Sequence, residues 1–150
     1  MCSAHATVRG FLGEMVERSG PGRDIIVDME AGLEHLSRGT GKHVSRLLAV
    51  LEPYYRSMET VRRIAELAKE LGVAEVEVVA NKVRDEGDRR VIADFCAAHG
   101  LTLRTEIPYD ESLGRAERGG AAPIDHRPEP PAVSAIRDLA ERLVGDDPHA

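Results

Sequence analysis

The sequence predicts an α/β fold, a partial doubly wound sheet that is mostly parallel and carries helices on both faces. Short apolar runs of strand length alternate with amphipathic stretches of helical period. The connections between successive strand candidates are long enough to hold a helix each, as parallel pairing requires. Asp28, Glu52-Pro53, Asn81-Lys82 and Pro108-Tyr109-Asp110 stand just past the ends of those candidates, where open α/β sheets hold their ligands.

The elements follow in order. Residues 4–18 place Val8, Phe11, Leu12 and Met15 at helical spacing before Ser19-Gly20-Pro21-Gly22 breaks the pattern. A strand is expected over Asp24 to Asp28, then a glycine-containing loop and a short helix through Gly41. RLLAVL (46–51) is the second strand, closed by Pro53. Ser57 is expected to cap a helix whose inner face carries Met58, Val61, Ile64, Ala65, Ala68 and Leu71, with Gly72 as its C′ residue. VEVVA (76–80) is the third strand, ending at Asn81-Lys82. The helix after it turns Val91, Ile92, Phe95 and Cys96 inward and stops at Gly100. LTLRTEI (101–107) reads as a more exposed fourth strand, and Asp110 can cap a short helix with Leu113 and Ala116. Pro123 to Pro131 is an extended connector. The last helix begins near Ala132, with Val133, Ile136, Ala140 and Leu143 on one stripe, and 146–150 is a frayed tail.

Composition narrows the function classes. An apolar fraction of 42% and a charged fraction of 31% over 150 residues fit one globular domain. A formal charge of −6 argues against nonspecific nucleic-acid binding, and 3% aromatics argue against a base-stacking platform for a strand. No apolar run approaches a membrane span, and Arg9, Glu14 and Glu17 interrupt a signal-peptide core. Only Cys2 and Cys96 are present, so disulfides do not organise the fold, and a cytoplasmic protein is expected. Cys96, on an inner helical stripe, reads as a small buried hydrophobe. No Ser-His-acid pattern stands in a nucleophile-elbow context.

The strand ends suggest a nucleotide site. A carboxylate closing an apolar strand, Asp28, can hold Mg²⁺ directly or through water. Gly32 lets the chain approach a phosphate and present its N–H. Equally, Asp28 caps the next segment and Gly32 merely turns it. Asn81 offers a donor and an acceptor that suit a purine edge, and the Lys82 stem can cover the ring's flat face. Pro108 can form a rigid wall beside the base. A strand-ending Asn and a strand-ending Pro also occur with no ligand duty.

DMEAGLEHLSRGT, EPYYRSMETVRRIAELAKELG, VVANKV and IPYDESLGRA resemble, in order and approximate spacing, the MinD/ParA superfamily of P-loop ATPases. The DxEAGxEH form is similar to the CooC-type accessory proteins for nickel insertion into carbon monoxide dehydrogenase. The motifs span roughly residues 2 to 125, and their ordered combination is far more specific than any one of them. The resemblance implies a doubly wound fold and an ATP-dependent dimer, switching between nucleotide states coupled to metal delivery or a redox partner. It implies ATP with Mg²⁺, and nickel or zinc as the metal. Asp28 matches the Walker B acid, Gly32 the segment answering the γ-phosphate, Asn81 the base-recognising residue of the NK motif and Pro108 the lining of the base pocket. Glu30 and His35 belong to the branch signature, with no chemical step attached. The partners implied are a second copy or a full-length homologue, and a nickel enzyme or redox protein as client, with no membrane.

The phosphate cradle has no match in residues 1–150. Neither G-x-x-x-x-G-K-[ST] nor GKGGxGKT occurs. Gly39-Thr40-Gly41-Lys42 lacks the spacing, has His43 where Ser or Thr is needed, and follows no hydrophobic strand. The aspartate of the family's early switch segment is missing too, so autonomous ATPase activity is expected to be weak or absent. Residues 1–145 are therefore read as the carboxyl-terminal portion of a MinD/ParA-like domain lacking the P-loop strand. Truncation is expected ahead of a natural reduced protein. MCSAH resembles the latter part of the branch's C-x-C pair, with Cys2 as the second cysteine. His5 can join Cys2 on one helical face as a metal pair. Two other functions stay open at this point: a non-enzymatic ParA-like partner-binding subunit, and a small metal-binding chaperone using Cys2 and His5.

Overall fold

The computed structural model describes residues 11, 14, 15, 18, 24–29, 45–125 and 128–145. At its centre lie β1 (Arg46–Leu51), β2 (Glu75–Val83) and β3 (Thr102–Pro108), all parallel, in the order β1-β2-β3. α1 (Tyr55–Glu70) connects β1 to β2 and α2 (Glu86–His99) connects β2 to β3. Beyond β3 come α3 (Glu111–Arg118), a 3-10 turn at Pro123–Asp125, and α4 (Pro131–Gly145). Helices flank both faces, as the sequence predicts.

Burial follows the pleat. Ala49 and Leu51 of β1 turn into a core with Val78 and Ala80 of β2, roofed by Val61 of α1 and by Ile92 and Cys96 of α2. Their neighbour Val50 points the other way and is 56% exposed. β2 is buried on both faces, since Val78, Val79 and Ala80 are all inaccessible, which is the signature of an internal parallel strand. On the second face α4 lies along β3, where Arg142 donates to the Thr105 hydroxyl at 3.0 Å. Near the amino ends, ion pairs lace the strands: Arg46 meets Glu75 at 2.7 Å and Arg104 meets Glu77 at 3.4 Å.

Several expectations change. Residues 24–29 adopt no regular secondary structure, and Ile26 is 93% exposed. A strand needs a ladder partner for its backbone N–H and C=O groups, and among the described residues none pairs with this segment. Ser57 does not cap α1. Tyr54 is the N-cap residue without a side-chain bond, and the Ser57 hydroxyl accepts the N–H of Glu52 at 2.9 Å. β2 runs through Asn81-Lys82 to Val83 instead of ending at Ala80. Val91 faces outward on α2. On α4 the buried positions are Ala132, Val133 and Leu139, so Ile136 and Ala140 lie off the packed stripe. The cores of the first two predicted helices fall mainly outside the described residues.

Candidate functional site

The carboxyl ends of the three strands form one rim. β1 delivers Glu52 and Pro53, β2 delivers Asn81, Lys82 and Arg84, and β3 delivers Pro108, Tyr109 and Asp110. The β2–β3 register slips between Ala80 and Val83, so that Val83 pairs with Pro108. The irregularity is built by Lys82, whose φ of 57° lies in the left-handed region that few non-glycine residues enter. Asn81 supports that turn, its side-chain Oδ1 accepting the N–H of Lys82 at 3.0 Å. The bond uses one lone pair of the amide oxygen and leaves its donors and second lone pair for other partners.

Lys82 does not reach over the rim as a free cation. Its ammonium contacts Glu52 Oε1 at 2.7 Å, tying the end of β2 to the end of β1. The hydrogen bond and charge of Glu52 raise the pKa of Lys82 above its ordinary value. Tyr109 continues the β3 ladder one step past Pro108, donating its N–H to Val83 C=O at 2.8 Å. The Arg84 guanidinium sits 5.1 Å from the centroid of the Tyr109 ring, a cation–π contact. Behind them Asp110 caps α3: its Oδ1 accepts from the Ser112 N–H at 2.9 Å and the Ser112 hydroxyl at 2.6 Å.

Asn81, Lys82 and Pro108 thus share the end of a parallel sheet. Asp28 is exposed, in the irregular segment 24–29. Gly32, Glu30, His35, Cys2 and His5 lie outside the described residues. Magnesium is usually held by one or two carboxylates together with waters and phosphate oxygens, and Asp28 offers one such carboxylate. Among the described residues no group of three or more His, Cys, Asp or Glu could hold a metal ion. Cys96 is buried, and desolvation pushes its thiol pKa up, away from ligand or nucleophile chemistry. A shallow depression lined by Asp138, Glu141, Arg142 and Gly145 lies on α4, away from the strand ends.

Sequence reasoning placed Tyr109 and Glu52 at strand ends without a role and missed Arg84. The signal for Arg84 was Val83, an apolar residue that prolongs β2 past Asn81-Lys82 and sets Arg84 beside the end of β3.

A parallel sheet with flanking helices and a polar carboxyl rim defines an α/β protein, and its architecture is consistent with a P-loop NTPase-like fold lacking the P-loop strand. No protein-family model matches the chain. It is 34% identical over 144 residues to the carbon monoxide dehydrogenase accessory protein CooC of Rhodospirillum rubrum, an alignment covering 96% of this chain and 51% of that protein. It is 36% identical over 120 residues to an uncharacterized ATP-binding protein of Methanocaldococcus jannaschii, covering 78% and 45%. Among solved structures, the MinD cell division protein of Aquifex aeolicus superposes with a TM-score of 0.71 at 20% identity, covering 95% of this chain and 61% of that one. The cell division ATPase MinD of Pyrococcus furiosus gives 0.60 at 20% identity, covering 77% and 49%. The chain thus shares the fold of the MinD cell division proteins and is similar in sequence to CooC and to an ATP-binding protein over part of their length. It spans about half the length of the curated relatives it matches.

Proposed function

We propose that residues 1–150 form the base-recognising portion of an ATP-dependent metallocentre maturation factor of the MinD/ParA type, serving nickel insertion into carbon monoxide dehydrogenase. The observation that carries the site is the placement of Asn81 and Pro108 at neighbouring strand ends, on a rim where such sheets bind nucleotides. The likeness to CooC, along 96% of this chain, supports the client. In this reading Asn81 meets the purine edge and Pro108 bounds the ring. Lys82 acts through the backbone, fixing the turn that presents Asn81, because Glu52 engages its ammonium. Asp28 and Gly32 serve the metal and phosphate end, and the nickel is cargo handed to the client.

The phosphates are the weak point of these residues taken alone. Consecutive backbone amides and a lysine normally neutralise the β- and γ-phosphates, and no stretch here has that pattern. The adenine end therefore supplies most of the recognition within this chain, and binding by it alone is weak.

The function is tested on the client. Carbon monoxide dehydrogenase produced with the gene for this chain is expected to contain more nickel than enzyme produced from a deletion strain at limiting nickel. Equal nickel content in the two preparations would overturn the assignment.

A further inference from the structure

A mononucleotide site needs an edge reader and a flat wall, and the rim leaves the wall to be assigned. The Lys82 stem is the obvious candidate in the sequence, but its ammonium is held across to β1 by Glu52 at 2.7 Å. Beside it stand two flat groups already in contact, the Arg84 guanidinium and the Tyr109 ring, 5.1 Å apart. Both are anchored through the backbone. Tyr109 N–H donates to Val83 C=O at 2.8 Å, and Arg84 N–H donates to Asp88 Oδ2 at 2.9 Å in the first turn of α2. Both residues are exposed, Tyr109 at 49%.

We infer that Arg84 and Tyr109 form the stacking wall of the base end, a specificity element taking the π-face of a purine while Asn81 reads its edge. The inference rests on the reading of this rim as a nucleotide site. Guanidinium planes and aromatic rings are the two surfaces on which unstacked bases lie, and here they are paired at the end of β3, next to Pro108. One ring suffices for one base, so the scarcity of aromatics that argues against a nucleic-acid platform does not argue against this. In the free protein the guanidinium and the ring cover each other. A purine replaces part of that contact with its own face and restores the cation–π and stacking attraction on both sides.

The chain has three tyrosines, so Tyr54→Phe with Tyr55→Phe leaves Tyr109 as the single reporter. NMR of that variant, with ¹³C-labelled tyrosine and ¹⁵N-labelled asparagine, is followed during titration with millimolar Mg-ATP, adenosine and Mg-tripolyphosphate. The Tyr109 ring signals are expected to move upfield with ATP and adenosine and to ignore tripolyphosphate, while the Asn81 side-chain amide moves in step with the ring. Arg84→Ala should weaken ATP by about tenfold, the scale of a lost stacking contact, and Arg84→Lys should not restore it, because an ammonium has no plane. Movement of the Asn81 amide with a silent Tyr109 ring, or an equal ring response to tripolyphosphate, would overturn the wall and leave the site standing. Silence at both positions would overturn the nucleotide site and the wall together.

Discussion

At the residue scale, Asp110 shows how one carboxylate joins the rim to the rest of the fold. Hydrogen bonds from the Ser112 hydroxyl and N–H favour its charged form, helped by the Ala132 N–H at 3.5 Å on its other oxygen. The pKa is accordingly lowered from the usual carboxylate value, the Ser112 hydroxyl bond being the largest cause. A depressed folded-state pKa stabilises the protein above the unfolded value, and that contribution is lost as pH falls through the folded value. Asp110→Ala removes the cap as well as the charge, and is expected to destabilise by about 1 kcal/mol at pH 7 in urea unfolding. The gap to wild type should shrink below about pH 4, where unfolded carboxylates protonate. A gap that holds constant to lower pH would count against the carboxylate as the source. Lys82 makes the opposite point: its pair with Glu52 is largely exposed and contributes little to stability, so its positive φ is held chiefly by the β2–β3 ladder and by Asn81.

At the element scale, the features visible in the sequence are those whose cause lies within a few residues. RLLAVL forms β1 with the predicted bounds because an unbroken apolar run closed by Pro53 needs no distant information. Gly100 ends α2 at φ 63°, and Leu101 N–H returns to Cys96 C=O at 2.9 Å, an arrangement that follows from the glycine itself. A Cβ there would meet no atom within 4 Å, so Gly100→Ala isolates the backbone term. About 1 kcal/mol of destabilisation is expected in thermal or urea unfolding, and an unchanged midpoint would show that the helix stop tolerates a side chain. What was hidden depends on partners far along the chain. Ile25 to Asp28 has the composition of a strand but no ladder among the described residues, and the outward turn of Val91 is set by where α2 meets the sheet. The site divides in the same way. Asn81 and Pro108 were legible as strand ends, whereas the Arg84–Tyr109 contact exists only through the register across a β-bulge that a non-glycine residue conceals.

At the scale of the whole molecule, the composition of β1 disagrees with its position. Among the described residues it pairs on one side only, with β2, yet it carries Leu47, Leu48, Ala49, Val50 and Leu51 in succession with neither Pro nor Lys. Edge strands are normally short, charged or kinked, because an open row of N–H and C=O groups recruits further strands. A run that is apolar toward both faces belongs inside a parallel sheet, and Val50, 56% exposed, marks the face that such a setting would cover. Where no other segment of the chain pairs with it, this edge should drive association of residues 1–150. Sedimentation velocity is expected to show an average mass that rises with concentration, and Val50→Lys should move the distribution toward monomer by placing a charge where a second chain would pack. Wild type and Val50→Lys sedimenting alike as monomers would show that the edge is already covered, and β1 would then be an internal strand of the chain's own fold.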